Sequence, residues 1–254
     1  MSGPKDTSDS TVAGATAAVL DRQSADAPLV RCEGVGRTYG TGPLAVVAAY
    51  DITCEVPRSA RIALTGPSGS GKSTLLHMLA GLEPPTVGRL SWPGLGGHPI
   101  DRPGRTGVIF QGPSLLPALS VIENVTLPLL LGDVEDALAR SRAKDALGRV
   151  GLADLSAALP EQLSGGQAQR VAVARVLASA PALILADEPT GQLDHVAASA
   201  VIDLLLLASA ELDAALVVAT HDPLIAERLT EQWRMNDGTL RNQAARDTLD
   251  GGRA

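Results

Sequence analysis

Nine consecutive residues, Gly66-Pro67-Ser68-Gly69-Ser70-Gly71-Lys72-Ser73-Thr74, match the phosphate-binding pattern G-x-x-x-x-G-K-[ST]. The run before them, 61–65, predicts a short buried strand, and the run 73–80 predicts a helix. Glycines let backbone N–H groups approach phosphate oxygens, and the helix N-terminus adds partial positive charge. We expect Lys72 to reach the β- and γ-phosphates and the Ser73 hydroxyl to bind Mg²⁺. The order and context argue against the alternative, a glycine-rich turn before an ordinary helix.

The composition describes an acidic chain with an aliphatic core. The length of 254 residues is enough for one domain or a domain and a half. The chain is 45% hydrophobic and 2% aromatic, which is enough for a sizeable aliphatic core, and its formal net charge is −7. The negative charge argues against a nucleic-acid-binding surface. No apolar run approaches the ~18 residues of a membrane span, and the start lacks a signal peptide's positive region, so we expect a cytoplasmic protein. The two cysteines lack C-x-x-C spacing and are expected to be reduced and half-buried.

The domain boundaries follow from changes in the hydrophobic pattern. Residues 1–28 and 244–254 are polar and lack a usable period, which predicts two flexible tails around a folded domain at 29–243. Within that domain, residues 112–163 predict a mostly helical subdomain. Pro128 is expected to kink or end its first helix, which begins with a capping box.

The strand pattern predicts an α/β fold built around the P-loop strand. Short apolar segments between residues 29 and 56 predict an antiparallel β-layer beside that strand. The continuous apolar runs 183–186 and 215–219 predict central parallel strands covered on both faces. A turn at Asp237-Gly238 predicts a closing hairpin.

Polar residues follow three of the predicted strands. Asp187 is expected to hold Mg²⁺ and Glu188 to polarise the attacking water, the alternative being two solvated acids. Gln111 touches Mg²⁺ or the water, or is a loop glutamine. His221 hydrogen-bonds the γ-phosphate, or is a capping or core histidine. The upstream P-loop favours the functional interpretation of the two acids.

Two further features suggest nucleotide contacts. Tyr39 stacks on adenine, or lies at the edge of the core. Ser164-Gly165-Gly166-Gln167 opens a helix with a hydroxyl and free N–H groups, which predicts a second anion site. That site is either a plain N-cap or an element that closes on a nucleotide held by another copy.

The full set of motifs resembles the nucleotide-binding subunits of ATP-binding-cassette (ABC) transporters. These motifs are GPSGSGKST, Gln111, LSGGQ at 163–167, LILADEP at 183–189, GQLD at 191–194 and His221. The resemblance covers about 29–240 and implies a P-loop NTPase fold with an antiparallel β-subdomain and a helical subdomain. It implies an ATPase with ATP and Mg²⁺ as cofactors. The implied partners are an integral membrane permease at the inner face of the membrane and a second ATPase subunit, with no nucleic acid.

The resemblance also implies a role for each motif residue. The catalytic residues are Glu188 as general base, with His221, Lys72 and Gln111. The metal-binding residues are Ser73, Gln111 and Asp187. The nucleotide-binding residues are Tyr39 on adenine, Gly66, Pro67, Ser68, Gly69, Ser70, Gly71, Lys72, Ser73 and Thr74 on the phosphates, Ser164, Gly165, Gly166 and Gln167 on the opposite subunit's nucleotide, and Asp194 at the dimer seam.

Within this family, the sequence motif ADEPTG-x-LD, together with LLP and ENVTLPLLL, resembles the lipoprotein-release and macrolide-exporter group. Gln192 stands where that group usually has Asn, and the short segment 88–108 is closer in length to some nitrate or sulfonate importers. The alternative function is a soluble ABC ATPase that acts on DNA or ribosomes. Such proteins usually pair two cassettes in one chain or carry a long coiled coil, and this chain has neither. A regulatory module without catalysis is disfavoured because Lys72, Asp187, Glu188 and His221 are all present.

Overall fold

The computed structural model describes residues 27–112 and 114–243. The flexible tails predicted over 1–28 and 244–254 therefore fall outside the described residues, apart from residues 27 and 28. At that boundary the Pro28 carbonyl accepts a hydrogen bond from the Gly94 N–H at 2.9 Å. In chain order the elements are β1 (Val30–Tyr39), β2 (Val46–Val56), β3 (Arg61–Thr65), α1 (Lys72–Leu79), β4 (Val87–Ser91), β5 (Thr106–Ile109), α2 (Val121–Leu131), α3 (Asp136–Arg149), α4 (Gly165–Ser179), β6 (Leu183–Asp187), α5 (His195–Glu211), β7 (Ala215–Thr220), α6 (Pro223–Ala226), β8 (Glu231–Asn236) and β9 (Thr239–Gln243).

A small antiparallel sheet with the order β2-β1-β4 forms the predicted β-layer. Cys32 lies opposite Cys54 on its two longer strands, and both are free thiols. They are 1% and 5% exposed, so the expectation of half-buried cysteines was wrong, because the layer's inner face is covered completely. The hydrogen bond with Cys32, followed by burial, raises the pKa of the Cys54 thiol far above its ordinary value. The thiol pair therefore behaves as apolar core.

A six-stranded sheet with the order β5-β6-β7-β3-β8-β9 forms the centre of the molecule. The first five strands are parallel, and β9 runs antiparallel to β8 as the predicted closing hairpin. Side chains alternate between the two faces of the sheet. On β7, Val217 packs with the small sheet and α1, whereas Leu216 and Val218 pack with the helices on the other face. Burial on both faces explains the continuous apolar runs in β6 and β7.

Helices α2 and α3 pack against α4 on the second face of the large sheet. The helix that begins after Ser120 runs through Pro128 to Leu131, so the proline does not end it early. Val121, Val125 and Leu129 recur at four-residue spacing and are buried. This packing continues past the proline and offsets the backbone hydrogen bond that the proline lacks.

Two strands end close to residues of the site: Tyr39 ends β1, and β5 ends at Ile109, before Phe110. Between β4 and β5 the chain forms two short 3-10 turns, because its prolines favour the first position of such turns. Over residues 27–112 and 114–243, every helix is too short or too polar to cross a bilayer.

Parallel pairing brings four strand ends to one edge of the large sheet. Thr65 pairs with Thr220, Asp187 with Ala219, and Ile109 with Ala186. The P-loop follows β3, while Glu188 and His221 directly follow β6 and β7. In open α/β sheets the carboxyl edge is where ligands bind, and here it gathers the predicted catalytic side chains.

Candidate active site

The P-loop is shaped by glycines that no other residue can replace without strain. Gly71 has φ +99°, and a Cβ there would lie 2.1 Å from the Ala48 carbonyl oxygen. Gly66 likewise has φ +150° and lies against the Met235 carbonyl, 2.2 Å from an added Cβ. The Lys72 ammonium donates to the carbonyls of Gly66 at 2.9 Å and Pro67 at 3.1 Å. The loop is thus closed around a cation that is itself 7% exposed.

Ser73 and Asp187 meet between α1 and the end of β6. The Ser73 hydroxyl donates to Asp187 Oδ1 at 3.1 Å, and Asp187 is buried. One hydroxyl and one carboxylate beside a phosphate-binding loop are the protein ligands that Mg²⁺ usually takes with nucleotide phosphates. The described residues hold no cluster of three or more His, Cys, Asp or Glu suited to a metal. The donor set therefore fits a magnesium ion shared with a triphosphate and does not fit an all-protein metal cage.

Glu188 and His221 form a pair at the same edge. The His221 Nδ1 lies 2.9 Å from Glu188 Oε2, and Glu188 Oε1 lies 3.8 Å from the Lys72 ammonium. Glu188 has φ +43°, an uncommon conformation for a residue with a side chain. Its N–H donates to the Ala219 carbonyl at 2.9 Å and its carbonyl accepts from the Gly191 N–H at 3.1 Å. The backbone on both sides therefore fixes the direction in which the carboxylate points.

These side chains border one cavity of about 470 Å³. The cavity brings together one ammonium, one carboxylate, one imidazole and one amide beside the P-loop, which suits a polyanion that must be gripped and attacked. Asp187 lies behind Ser73, while Gly66 and Pro67 border a neighbouring pocket and Ser70 is buried in the loop. The lining residues are Ala48, Ser68, Gly69, Gly71, Lys72, Ser73, Thr74, Gln111, Glu188 and His221.

Tyr39 lies at the end of β1, beside the P-loop helix. Its hydroxyl is 3.4 Å from the Thr74 hydroxyl and donates to the Glu83 carboxylate. The Arg37 guanidinium carbon lies 4.8 Å from the ring centroid. Tyr39 is 37% exposed, so its ring lies at the surface next to a residue that borders the cavity.

The second predicted anion site lies apart from this cavity. Ser164 Oγ accepts from the Gln167 N–H at 3.2 Å, and Gln167 Oε1 accepts from the Ser164 N–H at 2.8 Å, which closes a capping box at the start of α4. Asp194 caps α5 by accepting from the Ala197 N–H at 2.9 Å. Ser164, Gly165 and Asp194 are exposed, and residues 164–167 and 194 are absent from the cavity lining. Within one chain, the P-loop cavity and the anion site at the start of α4 are therefore separate.

Sequence reasoning missed two residues near the cavity. The backbone of Ala48 lies against Gly71 and borders the cavity, and nothing in its own sequence context indicates this. His77 lies one helical turn after Ser73, and its Nε2 is 3.9 Å from Asp187 Oδ2. The four-residue spacing from Ser73 on the predicted helix was the signal that could have found it.

Comparison with known proteins now identifies the family. A family model described as "ABC transporter" matches residues 49–191, more than half of the chain. The chain belongs to the ABC transporter ATP-binding family. It is 39% identical over 220 residues to the lipoprotein-releasing system ATP-binding protein LolD of Bordetella pertussis, covering 84% of this chain and 95% of that protein. It is 42% identical over 211 residues to LolD of Legionella pneumophila, covering 80% and 93%.

Solved structures show the same ABC cassette fold. The ATP-binding cassette MJ0796, in a dimeric post-hydrolysis state bound to ADP and Pi, superposes with a TM-score of 0.78 at 33% identity, covering 85% of this chain and 99% of that one. CbiO1 from Clostridium perfringens, part of an ABC transporter complex, superposes with a TM-score of 0.74 at 28% identity, covering 87% and 89%. The predicted P-loop fold and the predicted function are therefore confirmed: this ABC subunit binds and hydrolyses ATP to power transport. The alternative, an ABC ATPase acting on DNA or ribosomes, gains no support.

Proposed function

We propose that this chain is the ATPase of a lipoprotein-releasing transporter, and that it acts as a dimer on the cytoplasmic face of a membrane permease. The observation that carries the catalytic part is the convergence of Lys72, the Ser73–Asp187 contact and the Glu188–His221 pair at one sheet edge. The 39–42% identity to LolD proteins over at least 80% of the chain supports the choice of cargo class. Residues 29–243 would form the ATPase unit, with 112–163 as its helical subdomain.

The P-loop binds the triphosphate. Its backbone N–H groups and the N-terminus of α1 stabilise the phosphate oxygens, and Lys72 exchanges its carbonyl contacts for the β- and γ-phosphates. Ser73 and Asp187 would hold Mg²⁺, which neutralises charge on the β- and γ-phosphates when bound. Tyr39 stacks on adenine with the exposed part of its ring.

Glu188 serves as the general base. Its carboxylate accepts a proton from a water molecule whose oxygen attacks the γ-phosphorus, while the bond to the β–γ bridging oxygen breaks and ADP leaves. His221 orients this carboxylate through the 2.9 Å contact and offers its second ring nitrogen to the γ-phosphate. Gln111, which also lines the cavity, positions the water and links the site to the helical subdomain. Most of the rate enhancement comes from positioning and charge neutralisation.

A second copy completes each site. Ser164 and Gly166 lie outside the chain's own cavity, exposed or half-exposed at the start of α4. The free N–H groups and positive end of that helix suit the γ-phosphate of a nucleotide bound by the partner. Asp194 lies at the seam, since Gly166 is next to Ala197 in the helix that Asp194 caps. Closure of the dimer on ATP and its reopening after hydrolysis drive the permease through the surface near Gln111 and 114–124.

The test is purification of the full chain with whatever it binds in its own membranes. We expect one polytopic protein to co-purify, and a lipid-modified protein added to the reconstituted complex to raise ATP hydrolysis several-fold. A Glu188→Gln complex should bind the same partner without hydrolysing ATP. Co-purification of ribosomes or DNA instead of a membrane protein would contradict the proposal. Stimulation by a macrolide but not by the lipid-modified protein would move the chain to the exporter branch of the same group.

A further inference from the structure

Glu83 joins three side chains beside the P-loop helix. Its carboxylate accepts a hydrogen bond from the Tyr39 hydroxyl, lies 3.5 Å from Arg37 Nε and lies 3.6 Å from His77 Nδ1. Glu83 is only 26% exposed at its side chain. A half-buried carboxylate with these three partners is ordered, because each partner fixes one direction of the group.

The fold sets the place of Glu83 from both sides. The N–H groups of Leu82 and Glu83 donate to the His77 carbonyl at 2.9 and 3.3 Å, which ties the residue to the last turn of α1. Three residues later, the Thr86 N–H donates to the Gly36 carbonyl at 2.7 Å and Thr86 Oγ1 accepts from the Thr38 N–H at 3.1 Å. The turn that carries Glu83 therefore connects the P-loop helix to the end of β1.

The same contacts determine how the Tyr39 ring is presented. The Arg37 guanidinium lies over one face of the ring, 4.8 Å from the centroid, and is itself paired with Glu83. The hydroxyl edge is held by Glu83 and lies near Thr74. A ring fixed along one edge and covered on one face offers its other face to a flat partner, with little further loss of side-chain freedom.

We propose that Glu83 is a positioning residue for the nucleotide base. It holds Tyr39 and Arg37 as a preformed platform, so that the purine stacks without first ordering the ring. This inference rests on the proposed function in one respect, the stacking of adenine on Tyr39. It goes further by proposing that the Glu83 carboxylate, which does not contact the nucleotide, increases the affinity of the site for the adenine base.

The contact pattern predicts an effect on base binding without an effect on phosphate binding. Glu83→Ala removes the groups that order Tyr39 but leaves the ring and the P-loop, so the dissociation constant for ATP should rise by about 3- to 10-fold. Inorganic tripolyphosphate has no base, and its dissociation constant should stay unchanged. ATP hydrolysis by the purified chain should show a raised KM with an unchanged kcat, because the interaction is equal in the ground and transition states.

Two further variants make the test specific. Tyr39→Ala should weaken ATP binding by about 5- to 100-fold, and adding Glu83→Ala to it should cost nothing more if Glu83 acts through the ring. The matched control is Glu55→Ala, which removes an exposed carboxylate paired with Arg31 at 2.6 Å on the same small sheet. It should leave both dissociation constants unchanged.

Each outcome bears on one proposal. Equal weakening of ATP and tripolyphosphate by Glu83→Ala, or full additivity with Tyr39→Ala, would overturn the positioning role. Failure of the wild-type chain to bind ATP would instead contradict the proposed function. ATP binding that is insensitive to Tyr39→Ala would remove both the platform and the adenine stacking, and would leave the rest of the proposed function standing. If Glu83→Ala does not fold, Glu83→Gln still loses the charge that pairs with Arg37, and it should weaken ATP binding by about 2-fold with tripolyphosphate again unaffected.

Discussion

Gly71→Ala tests the P-loop geometry most directly. The residue has φ +99°, and a Cβ would lie 2.1 Å from the Ala48 carbonyl oxygen and 2.9 Å from the Met235 terminal methyl. The backbone strain costs about 1–2 kcal/mol, and moving a backbone carbonyl out of contact costs about 1–3 kcal/mol more. We expect a loss of about 3 kcal/mol in the free energy of unfolding, or about 6–12 °C in Tm for a domain of this size. Nucleotide binding should also be lost, because the displaced loop cannot close around phosphate.

The matched control separates strain from collision. Gly42 also has a left-handed φ, +64°, but nothing lies within 4 Å of its added Cβ. Gly42→Ala should therefore lower Tm by about 2–8 °C, which corresponds to the strain cost of about 1–2 kcal/mol alone. Both variants are measured by thermal unfolding without nucleotide and by calorimetric titration with ATP. If the two variants melt at the same temperature and bind ATP equally well, the close approach of β2 to the P-loop is wrong.

Three other changes have definite outcomes. Gly148 lies on the exposed face of α3, with open space around an added Cβ, so Gly148→Ala should raise the free energy of unfolding by about 0.5–1 kcal/mol in denaturant titration. An unchanged free energy of unfolding would contradict a helical conformation at residue 148. Lys72→Ala removes the cation enclosed by the P-loop and should abolish ATP binding, measured by calorimetry, and ATP hydrolysis, measured by phosphate release. Normal values in both assays would show that Lys72 is not part of the site. The pKa of the buried Cys54 thiol is raised, so this thiol should stay protonated at pH 8. Thiol reagents should therefore label Cys54 only when the protein unfolds, and labelling of the native protein would contradict its burial.

Much of the fold follows from local sequence pattern. The apolar runs in β6 and β7 predict strands covered on both faces, and the structure assigns alternate residues of each to two separate cores. The strand order was beyond sequence reasoning, because β3 pairs with β7 across about 150 residues and no local signal encodes that register. Pro128 shows the same limit, since buried packing on both sides of it outweighs its local preference.

In the candidate site, too, the sequence predicts the motif residues but not the contacts that depend on tertiary packing. Lys72, Ser73, Asp187, Glu188 and His221 belong to motifs or strand ends, and parallel pairing then brings strand ends together. The Tyr39–Glu83 contact joins residues 44 positions apart on a strand and a turn, where no spacing rule applies. Contacts of that kind emerge only from the packing of the small sheet against α1.

Dimer formation by a stalled variant is the most direct test of the two-copy site. Glu188→Gln removes the base but keeps a side chain that can still hydrogen-bond His221, so ATP should stay bound unhydrolysed. Its control is Glu188→Gln with Gly165→Glu, because an acid in the first turn of α4 suits the helix dipole but repels the partner's γ-phosphate.

Sedimentation with saturating ATP and Mg²⁺ should find Glu188→Gln at twice the 26.0 kDa mass of the chain, and the double variant at the single-chain mass. A Glu188→Gln protein that binds ATP yet sediments as one chain, alone and with its permease, would contradict the account.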